Sequence, residues 1–283
     1  MEDGIYKGIP EQDYFDLPRF SKSMVGPLLK SGRHLQEYLR NGIGGSGVRM
    51  GSLVDCLVLS PEEFDIRYAL TPPTYTDSKG EEKLWNYQSK SCREFRDELE
   101  SRGVTVITPE DYHKAQQIKK SLEESKTASG LLDGDTQVSL LWTDPETGVP
   151  CKGRIDVLGE SIVDLKTSSG LVDVNSFRQS LYKFKYHVQA FAYQEGYSIL
   201  TGEQKGFDFV AVETADPFGV GCYSIREDSL MLGEMEWRKA LRKYAQILDT
   251  GIYEGYPDVL ELIDVPAWAL KPIYEGEEEG LIL

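Results

Sequence analysis

The apolar positions along this chain change period part-way through, and the change predicts its layout. Residues 1–20 read as extended or loop-like. Ser21 or Ser23 then opens a helix running towards Arg40, with Met24, Leu28, Leu35 and Leu39 as its buried stripe. The glycine-rich stretch 41–47 breaks that helix. The apolar run 48–59 ends before Ser60-Pro61 and predicts a second, largely buried helix. Residues 70–82 read as a loop, 86–102 and 109–126 as helices, and 104–108 as a short β-type run.

From there the pattern shortens towards the period of strands. Residues 137–143, 151–158 and 161–167 read as three strands, separated by Asp144-Pro-Glu-Thr-Gly and by a tight Gly159-Glu160 turn. A long helix follows over 176–200, then strands at 207–213 and 221–225, and a last helix at 227–250. The tail carries Pro257, Pro266 and Pro272 and reads as irregular. No internal repeat interrupts this order. Strands in the middle with helices on either side predict an α/β chain with a central mixed sheet flanked by helices.

Composition changes this picture little. With 283 residues, 40% of them hydrophobic and 11% aromatic, the chain can bury a sizeable core. The segmentation expected is one domain over 1–283: a mainly helical part over 1–130, a sheet-bearing core over 131–250 and an irregular acidic tail over 251–283. No apolar stretch has the length of a membrane span, and the first residues lack a signal-peptide pattern, so a cytoplasmic protein without membrane contact is expected. Cys56, Cys92, Cys151 and Cys222 are far apart and suggest free thiols rather than a metal cluster.

Charge matters more. The net charge of −16 opposes binding to a polyanion, unless cations are gathered on one groove. Lys183 and Lys185, the 238–243 run and the 114–120 run are candidate clusters, each equally readable as a solvated helix face. The glutamates at 275 and 277–279 read as a solvated tail.

The chemistry concentrates in Gly153-Arg154-Ile155-Asp156 and Asp164-Leu165-Lys166. Side chains alternate along a strand, so Asp164 and Lys166 share a face opposite Val163 and Leu165. A short turn lets Asp156 approach them. Two carboxylates beside an ammonium suit a hard divalent cation, which lowers the pKa of bound water and steadies charge on a phosphoryl group. A lone D-x-K is weak, because an exposed cross-strand ion pair has the same pattern. No phosphate loop, HExxH or GxSxG accompanies it.

The segments G-R-I-D-V-L, I-V-D-L-K-T-S and Y-H-V-Q-A-F-A-Y together resemble the PD-(D/E)XK nuclease superfamily, and within it the phage and prophage exonuclease VIII (RecE-type) group. S-K-S-M-V-G-P-L-L-K-S, G-S-L-V-D-C-L-V-L-S-P and W-T-D-P-E-T-G-V-P-C-K-G-R add to the likeness, which covers most of residues 20–200. The resemblance implies a restriction-endonuclease-like core with an N-terminal helical region. It implies Asp156 and Asp164 as metal ligands and Lys166 as the catalytic lysine. The family's Q-x-x-x-Y element falls on Gln189 and Tyr193, which lie four apart on one helix face. His187 falls off that face and reads as structural.

Where the group often presents a histidine, this chain has Asp55 inside Leu53-Val-Asp-Cys-Leu-Val-Leu. A carboxylate in an apolar run needs a partner. A third metal ligand is one reading, and an internal helix contact or an arginine pair is the other. Gln137 stands near a position where related nucleases carry an acid. The resemblance further implies Mg²⁺ (with Mn²⁺ as a substitute), linear double-stranded DNA ends as substrate, and 5′→3′ resection for phage-type recombination. It also implies a homo-oligomeric ring and a single-strand annealing protein as partner. A structure-specific endonuclease and an inactive DNA- or protein-binding module are the rival readings.

Overall fold

A computed structural model describes residues 1–41 and 46–270, with the side chains of 46–48 outside the description. The glycines expected to break the chain at 41–47 therefore lie mostly outside the described residues, as does the end of the acidic tail. In chain order the elements are β1 (Gly4–Tyr6), α1 (Glu11–Asp16), α2 (Lys22–Lys30), α3 (Gly32–Asn41), α4 (Ser46–Leu59), α5 (Phe64–Arg67), β2 (Tyr68–Leu70), β3 (Thr74–Thr76), β4 (Glu82–Leu84), α6 (Lys90–Ser101) and β5 (Thr105–Ile107). There follow α7 (Pro109–Glu124), α8 (Lys126–Leu131), β6 (Asp135–Thr143), β7 (Pro150–Leu158), β8 (Ile162–Ser168), α9 (Val174–Lys183), α10 (Tyr186–Thr201), β9 (Phe207–Glu213), β10 (Val220–Ser224) and α11 (Glu227–Thr250).

The main sheet has six strands in the order β1-β6-β7-β8-β9-β10. It is mixed: β8 and β9 run parallel and the other neighbours antiparallel. The helices lie on its two faces. On one face Ile155, Ile162, Phe209 and Ala211 pack with residues of α2, α3, α10 and α11. On the other, Val157, Val163, Leu165 and Val210 pack with residues of α4, α7 and α8. The expected mixed sheet flanked by helices is what the chain forms. Two small sheets, β2 with β5 and β3 with β4, stand apart from it, the second beginning inside the 70–82 stretch expected to be a loop and ending just beyond it.

Two expected helices are each two. The first divides at Ser31, whose extended backbone ends α2 and whose hydroxyl accepts the His34 amide of α3 at 3.3 Å. Leu39, towards the end of α3, is exposed against expectation, whereas Met24, Leu28 and Leu35 are buried as expected. The second divides at Lys185, which takes a left-handed conformation (φ 57°) between α9 and α10. That turn re-aims α10 so that one of its faces lies over β7.

A glycine sets how closely α10 approaches the sheet. A β-carbon on Gly196 would lie 2.8 Å from the ring of Trp142 on β6. We expect Gly196→Val to overpack this contact and to cost about 1–3 kcal/mol of stability, read as a lower urea midpoint at unchanged slope.

Candidate active site

The site forms where two central strands part. β7 and β8 pair only at Val157↔Val163 and Leu158↔Ile162. Beyond that the ladder stops, and a side chain takes the place of a backbone acceptor: the Leu165 amide donates to Asp156 Oδ2 at 2.8 Å. Continuing the register sets Asp156 across from Asp164. Asp164 is 2% exposed, on the same sheet face as Ile162 and Lys166, while Val163 and Leu165 enter the opposite core. Lys166 Nζ lies 2.6 Å from Asp164 Oδ2.

α10 adds two residues from above that face. Gln189 Nε2 donates to Asp164 Oδ1. Tyr193, one turn on, lies over β7, and its ring fills the space above Gly153: a β-carbon there would meet it at 2.6 Å. The glycine that precedes Arg154-Ile-Asp156 is therefore required by the tyrosine of the other motif. α4 supplies Asp55 from the opposite layer, packing on β8 with Gly51 close to Thr167 Oγ1. His187, as expected, is structural: it is buried, with Nδ1 3.1 Å from Leu181 O and Nε2 3.3 Å from Glu236.

Electrostatics show that these groups feel one another. Burial, then the charges of Asp164 and Asp55, drive the Asp156 carboxyl well above its ordinary range. Burial pushes Asp55 up to about 7, with Lys166 pulling down and Asp164 pushing up. Burial works against the charge of Lys166, but Asp164 and Asp156 outweigh it and raise its pKa. Asp164 Oδ2 is buried without a well-formed hydrogen bond despite the nearby lysine. Three buried carboxyl groups that feel one another's charge are a donor set that suits a hard divalent cation. In the present arrangement, however, no three acidic, histidine or cysteine side chains among the described residues converge as a preformed cage. Asp164 is engaged by Lys166 and Gln189, and Asp156 by the Leu165 amide.

A cleft of about 590 Å³ opens on this group, lined by Asp55, Asp156, Gln189, Tyr193 and Gln137. A second cleft, of about 600 Å³, is lined by Lys166, Thr167 and Tyr186. Ser52 and Asp55 border both. Gln137 thus reaches the cleft, in a left-handed conformation (φ 53°).

The cations here are not the ones expected to gather. Lys185 pairs with Glu236 at 2.6 Å, Arg238 with Asp144 and Glu195, and Arg242 with Glu146 at 2.9 Å. Lys119 and Lys120 face Glu123 and Glu124 one turn on. Lys22, Arg19, Arg67, Lys152 and Arg154 line the first cleft together with Glu11, Glu62 and Glu63, and Arg19 pairs with Asp3 and Arg67 with Glu11 and Glu63. Lys152 is tied down, donating to the carbonyls of Tyr14, Phe15 and Leu17 at the end of α1. Lys22 is the notable addition. Its Nζ lies 5.1 Å from the Tyr186 ring centre, and Lys166 Nζ lies 4.9 Å from the same centre. Burial, then Lys166, lowers its pKa to about 7. No spacing in the sequence signals it, because α2 and β8 are far apart in the chain.

A family profile described as a PDDEXK-like domain of unknown function (DUF3799) matches residues 21–261. The chain belongs to this family. A search of the curated proteins finds no match. Among solved structures, the chain is similar to a crystal structure of a "putative exonuclease" from Eubacterium rectale. The identity is 14%, the TM-score 0.61, and the alignment covers 94% of this chain and 98% of that one. At that identity the likeness concerns the fold. The superfamily expected from the D…DLK…QxxxY segments is therefore the one the chain falls in, and no helix among the described residues is long and apolar enough to cross a membrane.

Proposed function

We propose that this protein is a divalent-metal-dependent deoxyribonuclease whose reaction centre is Asp156, Asp164, Lys166 and Gln189, with Asp55 as a third acidic ligand. The observation that carries the reading is the parting of β7 and β8. It leaves Asp156 and Asp164 facing one another beside Lys166, with Asp156 lining one cleft, Lys166 the next, and Asp55 bordering both. Membership of a PDDEXK-like family supports it, since that superfamily's nucleases work with divalent ions.

Asp164, Asp156 and Asp55 would hold the ion, Mg²⁺ by preference and Mn²⁺ as a substitute. Bound there, it supplies a water of lowered pKa and positive charge beside the scissile phosphate. Lys166, kept protonated by the two carboxylates, stabilises the charge that develops on the phosphoryl oxygens and orients the attacking water. Gln189 holds Asp164 in place through its amide and faces the cleft. Tyr193, one turn along α10 from Gln189, closes the space over Gly153. Lys22 faces Lys166 across Tyr186 and meets an adjacent backbone phosphate.

The finer reading is an exonuclease on linear double-stranded DNA. It works 5′→3′, as part of a ring of identical subunits, and prepares single-stranded tails for an annealing protein. The RecE-type likeness of the sequence supports it, and the description of the Eubacterium rectale structure supports its exonuclease part alone. The test compares linear duplex with covalently closed circles in Mg²⁺. Nucleotide release from the linear form alone is expected. Nicking of the circles at a similar rate would instead assign an endonuclease. For Lys22→Ala we expect a rise in KM for DNA of roughly tenfold with little change in kcat, the signature of lost uniform binding. A fall in kcat at constant KM would move Lys22 into the chemical step.

A further inference from the structure

We propose that the second cleft takes a single-stranded stretch of DNA, one of whose bases stacks on Phe184. The proposal rests on the nuclease reading and refines its substrate: the strand is unpaired where it passes Lys166.

The reaction centre uses Lys166 and leaves the rest of this cleft without a role. Part of its wall comes from Tyr182-Lys-Phe-Lys-Tyr186, in which aromatic rings and lysines alternate. Two of the rings are engaged. Tyr182 stacks on His187 at 6.0 Å between centres, and Tyr186 meets Lys22 and Lys166. Phe184 is different. Its ring lies 5.6 Å from that of Tyr186, lines the cleft and stays 49% exposed. A single exposed ring needs no special account. Here, however, Leu171 lines the same cleft and is 66% exposed. The cleft's volume of about 600 Å³ is within the range of pockets that take small ligands, roughly 300–1,000 Å³.

The turn between α9 and α10 holds the ring in place. The left-handed backbone of Lys185 (φ 57°) is costly for a residue with a side chain and persists only where its surroundings fix it. They do so: Lys185 Nζ lies 2.6 Å from Glu236 and 4.8 Å from the centre of the Tyr182 ring. Lys183 is exposed and has no carboxylate partner among the described residues. Its Nζ lies 5.2 Å from the Phe184 ring centre. The half-exposed ring thus stands beside one uncommitted ammonium, and Tyr186 links it to the lysine of the reaction centre.

This is the chemistry that single strands use. Their bases stack on aromatic side chains while cations follow the phosphates. Within a duplex a base is already covered by its neighbours, so only an unpaired base can offer a face to Phe184. Ser168, Ser169 and Ser180 also line the cleft and supply hydroxyls for phosphate and sugar oxygens. Stacking reads no base edge, so the contact is independent of sequence.

Fluorescence anisotropy with a labelled oligothymidylate, in chelator so that nothing is cut, reads the contact. The probe of comparison is an abasic strand of the same length, which keeps every phosphate and loses every base. The wild type is expected to bind the oligothymidylate roughly tenfold more tightly than the abasic strand. Phe184→Ala, with an unchanged far-ultraviolet dichroism spectrum, is expected to bind both as weakly as the wild type binds the abasic strand. Phe184→Tyr keeps a ring and should bind as the wild type does. A wild type that does not bind the single strand, or that binds the two strands equally, overturns the proposal. So does a Phe184→Ala protein that still prefers the bases, or a Phe184→Tyr protein as weak as Phe184→Ala. The nuclease reading stands or falls separately. Binding that depends on Phe184 in a protein that cuts no DNA in Mg²⁺ or Mn²⁺ removes the reaction and keeps the strand site. Cutting without such binding keeps the reaction and removes the strand site.

Discussion

Replacing Lys166 by Met should lower the rate of phosphodiester hydrolysis by roughly 10²–10³-fold while leaving DNA affinity nearly unchanged. The reason is its location. Lys166 sits 2.6 Å from Asp164, and its charge is maintained by the two carboxylates between which the reaction is placed. A group that stabilises charge only as it develops affects kcat and kcat/KM together, and not KM alone. Asp164→Asn should cost at least as much. It removes a ligand charge and leaves Gln189 only an uncharged amide oxygen to hold. A Lys166→Met protein that loses DNA binding but keeps its kcat would assign the lysine to substrate affinity instead.

The second large effect joins stability to pH and to the ion. Asp55 holds its proton up to about 7 in the folded protein, against 3.8 ordinarily, because it is buried and close to Asp164. Burial and the same neighbours push Asp156 in the same direction. In the native state, then, protons stay bound that the unfolded chain gives up. A carboxyl with a raised native pKa stabilises the fold below its unfolded pKa, and that contribution is lost as pH rises to the native one. Without divalent ions, the difference in unfolding free energy between wild type and Asp55→Asn should move against the wild type between about pH 4 and 7, by up to about 4 kcal/mol. Excess Mg²⁺ should restore the loss, most strongly above pH 7, because the ion replaces the proton as the partner of the carboxylates. Urea titrations across this range, with Mg²⁺ or with chelator, measure both. A constant difference between the two proteins, unaltered by Mg²⁺, would make Asp55 a structural residue of α4.

Much of this was legible in the chain, for a physical reason. Strand alternation placed Asp164 and Lys166 on one face, and helical spacing placed Gln189 and Tyr193 on one face. Those two periodicities are local and survive folding unchanged. What escaped was non-local. Gly153 reads as part of a motif, but its absent side chain is explained only by Tyr193, which comes from another element. Lys22 belongs to a helix that reads as a plain amphipathic one until α2 is laid against Tyr186. The basic runs at 114–120 and 238–243 looked available because their acidic partners are either one turn away or on different elements, as with Arg238 and Asp144. Divided helices escaped too: Ser31 and Lys185 end their helices through backbone conformation, which hydrophobic periodicity does not encode.

The central claim is that this cleft hydrolyses DNA with a divalent ion held around Asp164. Release of acid-soluble nucleotides from linear duplex DNA, measured for wild type and Asp164→Asn in Mg²⁺ and in chelator, tests it most directly. Release by the wild type in Mg²⁺, none in chelator, and a loss of roughly a thousandfold in Asp164→Asn are expected. Absence of release by the wild type in either Mg²⁺ or Mn²⁺, or undiminished release by Asp164→Asn, would contradict it.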